Sequence, residues 1–362
     1  MTWHKHIPYN ELPLLPPPAE EWETLPVMRS LAKAAGLVGE LKAACTTLPN
    51  PHLLLQSIIM REAQFSSGIE NIVTTQDEIY QAMESTASLR PMTKEVLYYH
   101  QALETGIGYL RKQQDLMTTN LFVEVMRTLR GGVQHNVRNQ PATALKRMPS
   151  GETIYTPPDG EDNLRRLLHN LEQYLNDETG DTHPLVKMAV AHYQFEAIHP
   201  FTDGNGRTGR ILNSLYLCKT GLLPQPVLFL SKHFLDYRTD YYRLLLSVTT
   251  ERSWEAWLLF VLNGVSDTAR QTLQLIRDIT QLRADFERRV QTLGIKPAYQ
   301  LTATLFERPY CSLQSLSKGC EVSYMTARNY MEALHAQGLL DKLKIGKKVY
   351  FRNESLMKLL RT

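Results

Sequence analysis

Apolar residues recur at steps of three or four along most of the chain, the period of helices that present one face to a core. Leu54, Ile58, Ile59 and Ala63 mark a helix over 53–69. The same spacing of Leu, Met, Val and Tyr predicts helices over 76–88, 92–113 and 118–129. Across 183–198 apolar side chains fall on every side (Leu185, Val186, Met188, Val190, Tyr193, Phe195, Ile198), which predicts a central buried helix. A one-sided pattern returns over 208–221, with Ile211, Leu212, Leu215 and Leu217 inward and Gly221 as its end. Helical spacing continues over 231–262 and 266–292, the latter laced with charges such as Arg270, Asp278, Arg283 and Glu287, as in a connecting helix.

Three stretches depart from this rhythm. Pro8, Pro13, Pro16, Pro17, Pro18 and Pro26 predict that the first fifty residues form an extended arm lying on the rest of the molecule. Between Gly131 and Asp162, Gly, Pro and Asn leave one short β-like run, 152–156, before Pro157 and Pro158, as in a loop or hairpin. From Pro297 the order is helix, short helix (312–318), turn at Gly319, helix (323–337), Gly338, then two β-like runs around Ile345, Gly346 and Lys347. That order is a winged helix-turn-helix. The expected fold is therefore all-α, with one short hairpin in the main body and a winged tail. Its expected domains are an N-terminal region (1–95), a core (96–265), a connecting helix (266–295) and the tail (296–362).

Composition narrows the class. The chain has 362 residues, 43% hydrophobic and 21% charged, which allows two or three cores and argues against disorder. A net charge of +3 demands no polyanionic partner. Cys45, Cys218, Cys311 and Cys320 lack the C-x-x-C spacing of zinc or thiol-redox sites, and the N-terminus lacks an apolar signal stretch, so a reducing cytoplasmic location is expected. The longest apolar runs fall short of the ~20 residues that cross a bilayer, so no membrane span is expected.

The chemistry concentrates in twelve consecutive residues, from His199 to Arg210. Gly204 and Gly206, flanking Asn205, permit positive φ and close backbone approach, so successive N–H groups can face phosphate oxygens at a helix N-terminus. Arg207 and Arg210, one turn apart, fit two phosphates, and Asp203 fits a bridging Mg2+. His199, with a near-neutral pKa, is placed to take a hydroxyl proton.

These residues resemble the signature of the Fic (Fic/Doc) nucleotidyltransferase family, His-x-Phe-x-(Asp/Glu)-Gly-Asn-Gly-Arg-x-x-Arg, at every defined position. The resemblance continues through 183–198, through 209–223 and from Tyr241 and Tyr242 to Trp257. It implies a helical core and a protein adenylyltransferase: His199 deprotonates a Ser, Thr or Tyr hydroxyl on a target, which attacks the α-phosphate of ATP and releases pyrophosphate. It implies that Asp203 holds Mg2+, that the loop through Gly204, Asn205, Gly206, Thr208 and Gly209 surrounds the phosphates, and that Arg207 and Arg210 take the β- and γ-phosphates. Tyr241 and Tyr242 resemble a tyrosine pair beside the adenine.

Two flanking segments join this reading. The run with Thr153, Ile154 and Tyr155 resembles the family's flap (152–158), which covers the nucleotide and aligns a target segment by strand addition. Ser66, Glu70 and Asn71 match the family's inhibitory motif, Ser/Thr-x-x-x-Glu-Gly/Asn, at the end of the 53–69 helix. A carboxylate at Glu70 would pair with Arg210 and withhold it from the γ-phosphate.

In the tail, Lys342, Lys344, Lys347, Lys348 and Arg352 fall on the wing and Arg328 on the recognition helix, compatible with phosphate contacts; Tyr324, Met325, Tyr330 and Met331 leave that helix few base-reading donors. Nucleic acid, a target protein and self-association all remain as partners of the tail, and a homo-oligomer that modifies itself is expected from the resemblance. Three other activities stay open: removal of AMP at the same site with Glu70 orienting water, phosphate or phosphocholine transfer, and a DNA-binding regulator whose nucleotide site is a sensor.

Overall fold

In the computed structural model, which describes residues 3–47, 51–84, 90–140, 144–147, 150–307, 309–345 and 348–361, the proline-rich entry is irregular as far as Thr24 apart from one 3-10 turn, Ala19–Glu21. It lies on the body as expected. Tyr9 N–H donates to the Thr156 carbonyl (3.1 Å), Asn10 exchanges bonds with Asp159 (2.9 and 2.8 Å), and the Asn170 amide closes both main-chain groups of Leu15 (2.8 and 3.1 Å).

The extended arm does not reach residue 50, however. Leu25–Thr47 is a helix, α1. Pro26 falls in its first turn, where a missing N–H costs no helical bond, and Val27, Ala34, Val38, Leu41 and Cys45 recur at helical spacing and are buried. The expected helices follow as α2 (Pro51–Ile69), α3 (Gln76–Glu84), α4 (Pro91–Lys112) and α5 (Thr119–Leu129). The Leu54 side chain and residues 85–88, which entered those expectations, lie outside the described residues. β1 (Leu145–Arg147) and β2 (Glu152–Tyr155) pair antiparallel as a hairpin, irregular between Leu145 and Lys146. α6 (Glu161–Asn176) had no sequence assignment, although Leu164, Leu167, Leu168, Leu171 and Leu175 form a buried stripe.

α7 (Pro184–Ile198) is the central helix. His183 Nδ1 accepts from Leu185 N–H to cap it, and Pro184 opens its first turn. It is flanked by α6, by α8 (Asn205–Lys219) and by the long α11, while α4 and α5 pack on α8. Between them run α9 (Leu230–Asp236) and α10 (Arg238–Glu251). α11 (Trp254–Thr292) is one 39-residue helix, so the expected division near 265 is absent. The chain turns instead at Arg252, which adopts a left-handed conformation (φ 56°). Gly264 continues α11 because its missing side chain lets α9 approach: a Cβ there would stand 2.6 Å from the His233 ring. α1 packs along α11, and α2 packs against α4 and α9.

The tail comprises α12 (Ala298–Glu307), β3 (Tyr310–Ser312), α13 (Leu313–Gly319), α14 (Tyr324–Ala336), β4 (Asp341–Ile345), β5 (Lys348–Arg352) and α15 (Glu354–Arg361). Ser312 and Ser323 cap the helix pair, and the antiparallel sheet has the order β3-β5-β4, so the winged helix-turn-helix topology is present. The tail does not hang free: α12 packs on α2, and Asp77 of α3 accepts from the Tyr310 hydroxyl (2.5 Å) and pairs with Arg361 (2.8 Å) and Arg352 (3.5 Å). Arg352 also holds Asp341 (3.0 Å), and Lys342 holds Glu332 (2.5 Å), so two of the expected wing cations are engaged. Lys344 and Lys348 are exposed, and Lys347 lies outside the described residues. Among the described residues, no helix is long and apolar enough to cross a membrane.

Candidate active site

α7 delivers His199 to the molecule's central polar cluster. The helix ends there because His199 is left-handed (φ 50°), with its N–H on the Phe195 carbonyl (3.0 Å). Five residues on, Gly204 (φ 77°) starts α8, and its glycine identity answers a crowded site: a Cβ would stand 3.0 Å from Met126. The first helical bond runs from Thr208 N–H to the Gly204 carbonyl (3.0 Å), so the N–H groups of residues 205–207 have no acceptor within the helix. With the helix dipole behind them they make a nest that could receive an anion.

The Asn205 amide is buried and closes both polar groups of Phe201 at 2.8 Å, so its side chain braces the loop and only its N–H is left for a ligand. Gly206 has no positive φ, contrary to expectation, because it already lies in α8. What it supplies is space: a Cβ would stand 2.6 Å from Glu70 Oε1 and 3.0 Å from Arg210 Nη1. Thr208 is buried with its hydroxyl toward Met126 Sδ, and Gly209 gives α7 and α8 their close approach. Asp203 is exposed; its Oδ1 accepts from Gly204 N–H (2.7 Å) and its Oδ2 pairs with Arg130 (2.9 Å).

The two arginines meet carboxylates on different helices. Arg207, buried, donates to Glu95 of α4 at 2.5 Å. Arg210, also buried, donates from Nε to Ser66 Oγ (2.8 Å) and from Nη2 to the Ser66 carbonyl (3.0 Å) and Glu70 Oε1 (2.9 Å). Burial opposes charge on Arg210, but Glu70, followed by Tyr241 and Tyr242, holds its pKa above the ordinary arginine value. Asn71 explains the last position of the 66–71 motif. It is left-handed (φ 61°) at the end of α2, a conformation that Gly and Asn tolerate, and its Oδ1 accepts from Arg238 (2.8 Å).

Of the tyrosines, Tyr241 is buried with its hydroxyl 2.8 Å from His192 Nε2, whereas Tyr242 is exposed, its ring 5.1 Å from that of Tyr241. In the hairpin, Thr153 and Ile154 are half-buried, while Tyr155 is buried and donates to the Ala197 carbonyl (2.8 Å), anchoring the strand to α7 beside His199.

The imidazole is not near-neutral in pKa. Burial, then the Arg138 guanidinium, push His199 down to about 4, and its buried Nδ1 has no hydrogen bond of regular geometry. The ring is therefore a neutral base at pH 7. Arg138 escaped the sequence reading because it sits in the irregular 131–162 stretch. Its buried side chain donates to the carbonyls of His199 (2.9 Å), Ile198 (3.3 Å) and Pro158, so it ties the hairpin's exit to the end of α7.

Glu62, Glu95 and Glu196 were also missed. Glu62 accepts from Ser231 N–H (3.1 Å), from the Ser231 hydroxyl and from Tyr99 (3.2 Å), and burial pushes it up to about 7. A charged residue inside a helix that is apolar all round was the available signal for Glu196.

Three family models match in succession: Fic/DOC family N-terminal over 28–108, Fic/DOC family over 93–217, and the C-terminal domain of the protein adenylyltransferase SoFic-like group over 297–356. This chain belongs to the Fic/DOC family. The second model contains the His199–Arg210 loop whose geometry is described above, and the first contains Ser66, Glu70 and Asn71. Among curated Fic relatives, Protein adenylyltransferase Fic of Drosophila melanogaster is 34% identical over 119 residues, 33% of this chain and 22% of that protein. The protein of the same name in Drosophila yakuba is 44% identical over 68 residues, 18% and 14% of the two chains. The match thus spans about a fifth or less of these relatives' length. Among solved Fic structures, a Fic family protein from Desulfovibrio desulfuricans superimposes with a TM-score of 0.60 at 20% identity, covering 91% of this chain and 96% of that one. Fic-1 from C. elegans gives 0.53 at 20% identity, covering 69% and 74%. At such identities the agreement is one of fold.

Proposed function

We propose that this Fic protein transfers AMP from ATP to a Ser, Thr or Tyr hydroxyl of a target protein, and that Glu70 restrains it. One observation carries the reading: a neutral imidazole, His199, stands at the end of α7 beside the N–H nest of α8, while Arg210 at the same site is held by Glu70.

In the reaction, His199 takes the target hydroxyl proton as its oxygen bonds to the α-phosphorus. The bond from that phosphorus to the bridging oxygen breaks and pyrophosphate leaves, so atoms and charge balance. The nest offers main-chain donors to the phosphates, and Arg210, once free of Glu70, offers a fork to the γ-phosphate. Asp203 fits a Mg2+ site because Mg2+ takes one or two carboxylates and completes its shell with phosphates and water. An exposed single carboxylate at the nest is such a donor, and the ion would neutralise phosphate charge there. The family name on the Drosophila relatives, protein adenylyltransferase, supports the same reaction class.

The hairpin supports a protein target: β2 is anchored at Tyr155 and, among the described residues, β1 is its only partner strand. An extended target segment adding to its other edge would lie along the site. The Lys5 pair with Glu152 (2.8 Å) and the Tyr9 bond to Thr156 place this chain's own arm beside that strand, so target binding there is expected to displace residues 5–9.

The test uses ATP labelled separately at the α- and γ-phosphates, with Mg2+ and a protein extract. Label on protein from the α position is expected. Label from γ would mean kinase chemistry, and label from neither, in a Glu70→Gly chain, would overturn the proposal.

A further inference from the structure

Every hydrogen bond of Arg210 described above goes to α2 and its end: Ser66 Oγ, the Ser66 carbonyl and Glu70. If Glu70 and Ser66 withdraw together, a guanidinium that is 2% exposed loses its counter-ion inside the core. Leaving one member of a buried pair behind is strongly destabilising. A second carboxyl that does not travel with α2 would keep Arg210 paired through release, before phosphate arrives.

Glu196 is such a carboxyl. It lies in the last turn of α7, three residues before His199, and its Oε1 is buried without a hydrogen-bond partner. It reaches α8 at the residue before Arg210: a Cβ on Gly209 would stand 2.5 Å from Glu196 Oε1. Glu62, the other buried carboxyl near Arg210, belongs to α2 and already holds Ser231 and Tyr99. We infer that Glu196 is a positioning residue for Arg210, the core-borne carboxyl that takes up the guanidinium from behind when the end of α2 lets go. One edge of the Arg210 fork then faces Glu196 and the other stays free for phosphate.

The electrostatics of the cluster agree. Burial, with Glu70 adding to it and Arg210 opposing it, pushes Glu196 up to about 7. The groups facing it are Arg210 of α8, Glu70 at the end of α2, Tyr241 and Tyr242 of α10, and His192 one turn back on α7. Withdrawal of Glu70 removes a raising charge, so Glu196 loses its proton as it pairs with Arg210. A group whose pKa falls on release makes release more favourable as pH rises, up to the restrained value near 7, and level above it.

This inference rests on the proposal that Arg210 serves the nucleotide, and two readouts separate the two ideas. The first is thermal melting without nucleotide, in the unaltered chain, Glu196→Gln, Glu70→Gly and the double variant. Glu196→Gln is expected to change Tm little while Glu70 is present and to lower it by roughly 2–4 °C or more once Glu70 is gone. The second is transfer. Glu196→Gln in the Glu70→Gly chain is expected to raise KM for ATP about tenfold with a smaller change in kcat. In the Glu70-intact chain it is expected to remove the rise of transfer towards pH 7.

An equal Tm loss in both backgrounds would mark Glu196 as a purely structural residue and overturn the inference, as would an unchanged KM and pH profile. If Glu70→Gly transfers no AMP yet the melting difference appears, the positioning of Arg210 by Glu196 stands and the nucleotide reading fails.

Discussion

Glu70 Oε1 lies 2.9 Å from Arg210 Nη2 across a residue that has no side chain, for a Cβ on Gly206 would stand 2.6 Å from that same oxygen. The second glycine of the loop thus leaves the room in which the Glu70–Arg210 pair forms. The buried Arg210 guanidinium joins α8 to α2 through Ser66 and to Glu70 just beyond it.

Removing the Glu70 carboxylate should free Arg210. Glu70→Gly is expected to raise AMP transfer about tenfold or more, since a hydrogen bond to a charged group is worth ~1.5–3 kcal/mol and each 1.4 kcal/mol is a factor of ten. An unchanged initial rate with α-labelled ATP would show that Glu70 does not restrain the enzyme.

In that released chain, His199→Ala should cut transfer by ~10²–10⁴, the usual share of a positioned base. The imidazole works in its neutral form, and burial with Arg138 holds its pKa near 4. Glu70 itself raises the His199 pKa, so transfer by Glu70→Gly should be level from about pH 5 upward and fall only as pH drops to about 4 or below. A midpoint near 6.5 in the rate profile would contradict the buried, cation-flanked environment.

Arg138→Met should do two things. It strips donors from the carbonyls of Pro158, Ile198 and His199, which lowers Tm by about 2–4 °C for each kcal/mol lost. It also removes a cation that lowers the His199 pKa, so the acid limb of the Glu70→Gly profile should move to higher pH. Thermal melting and the rate profile check the two effects separately.

Asp77 fastens the winged tail to the segment that follows Glu70. Burial alone would raise its carboxyl, but the Tyr310 hydroxyl and Arg361 hold it below the ordinary value. Its contribution is then present above the unfolded carboxylate pKa and is lost as pH falls through the lower folded value. Asp77→Ala should speed proteolytic cutting near Lys296 and hydrogen exchange in α12 and α15, without unfolding the core. Unaltered cutting and exchange would show that the tail is held by packing alone.

Much of this protein was legible in one dimension because its cues are local. The 3.6-residue period marked α2, α4 and α5, apolar side chains on every side marked α7, and a glycine-punctuated turn marked the tail. The spacing of His199, Asp203, Gly204, Arg207 and Arg210 reads as a loop suited to phosphate. α1 went unread because prolines at 8–18 were allowed to speak for residues 25–47, and the charged residues of α11 drew a division through a helix whose other face is buried.

The sequence by itself determined the loop's chemistry and the left-handed end of α2 at Asn71, since backbone conformation and helix ends depend on residues a few positions apart. Only the tertiary structure decided what each charge faces: Arg207 on Glu95, Arg210 on Ser66 and Glu70, Arg138 on the end of α7, and Glu196 Oε1 buried without a hydrogen-bond partner. Those pairings join residues 60 to 144 positions apart, and the same burial that brings them together sets the His199 pKa, a quantity no local pattern carries.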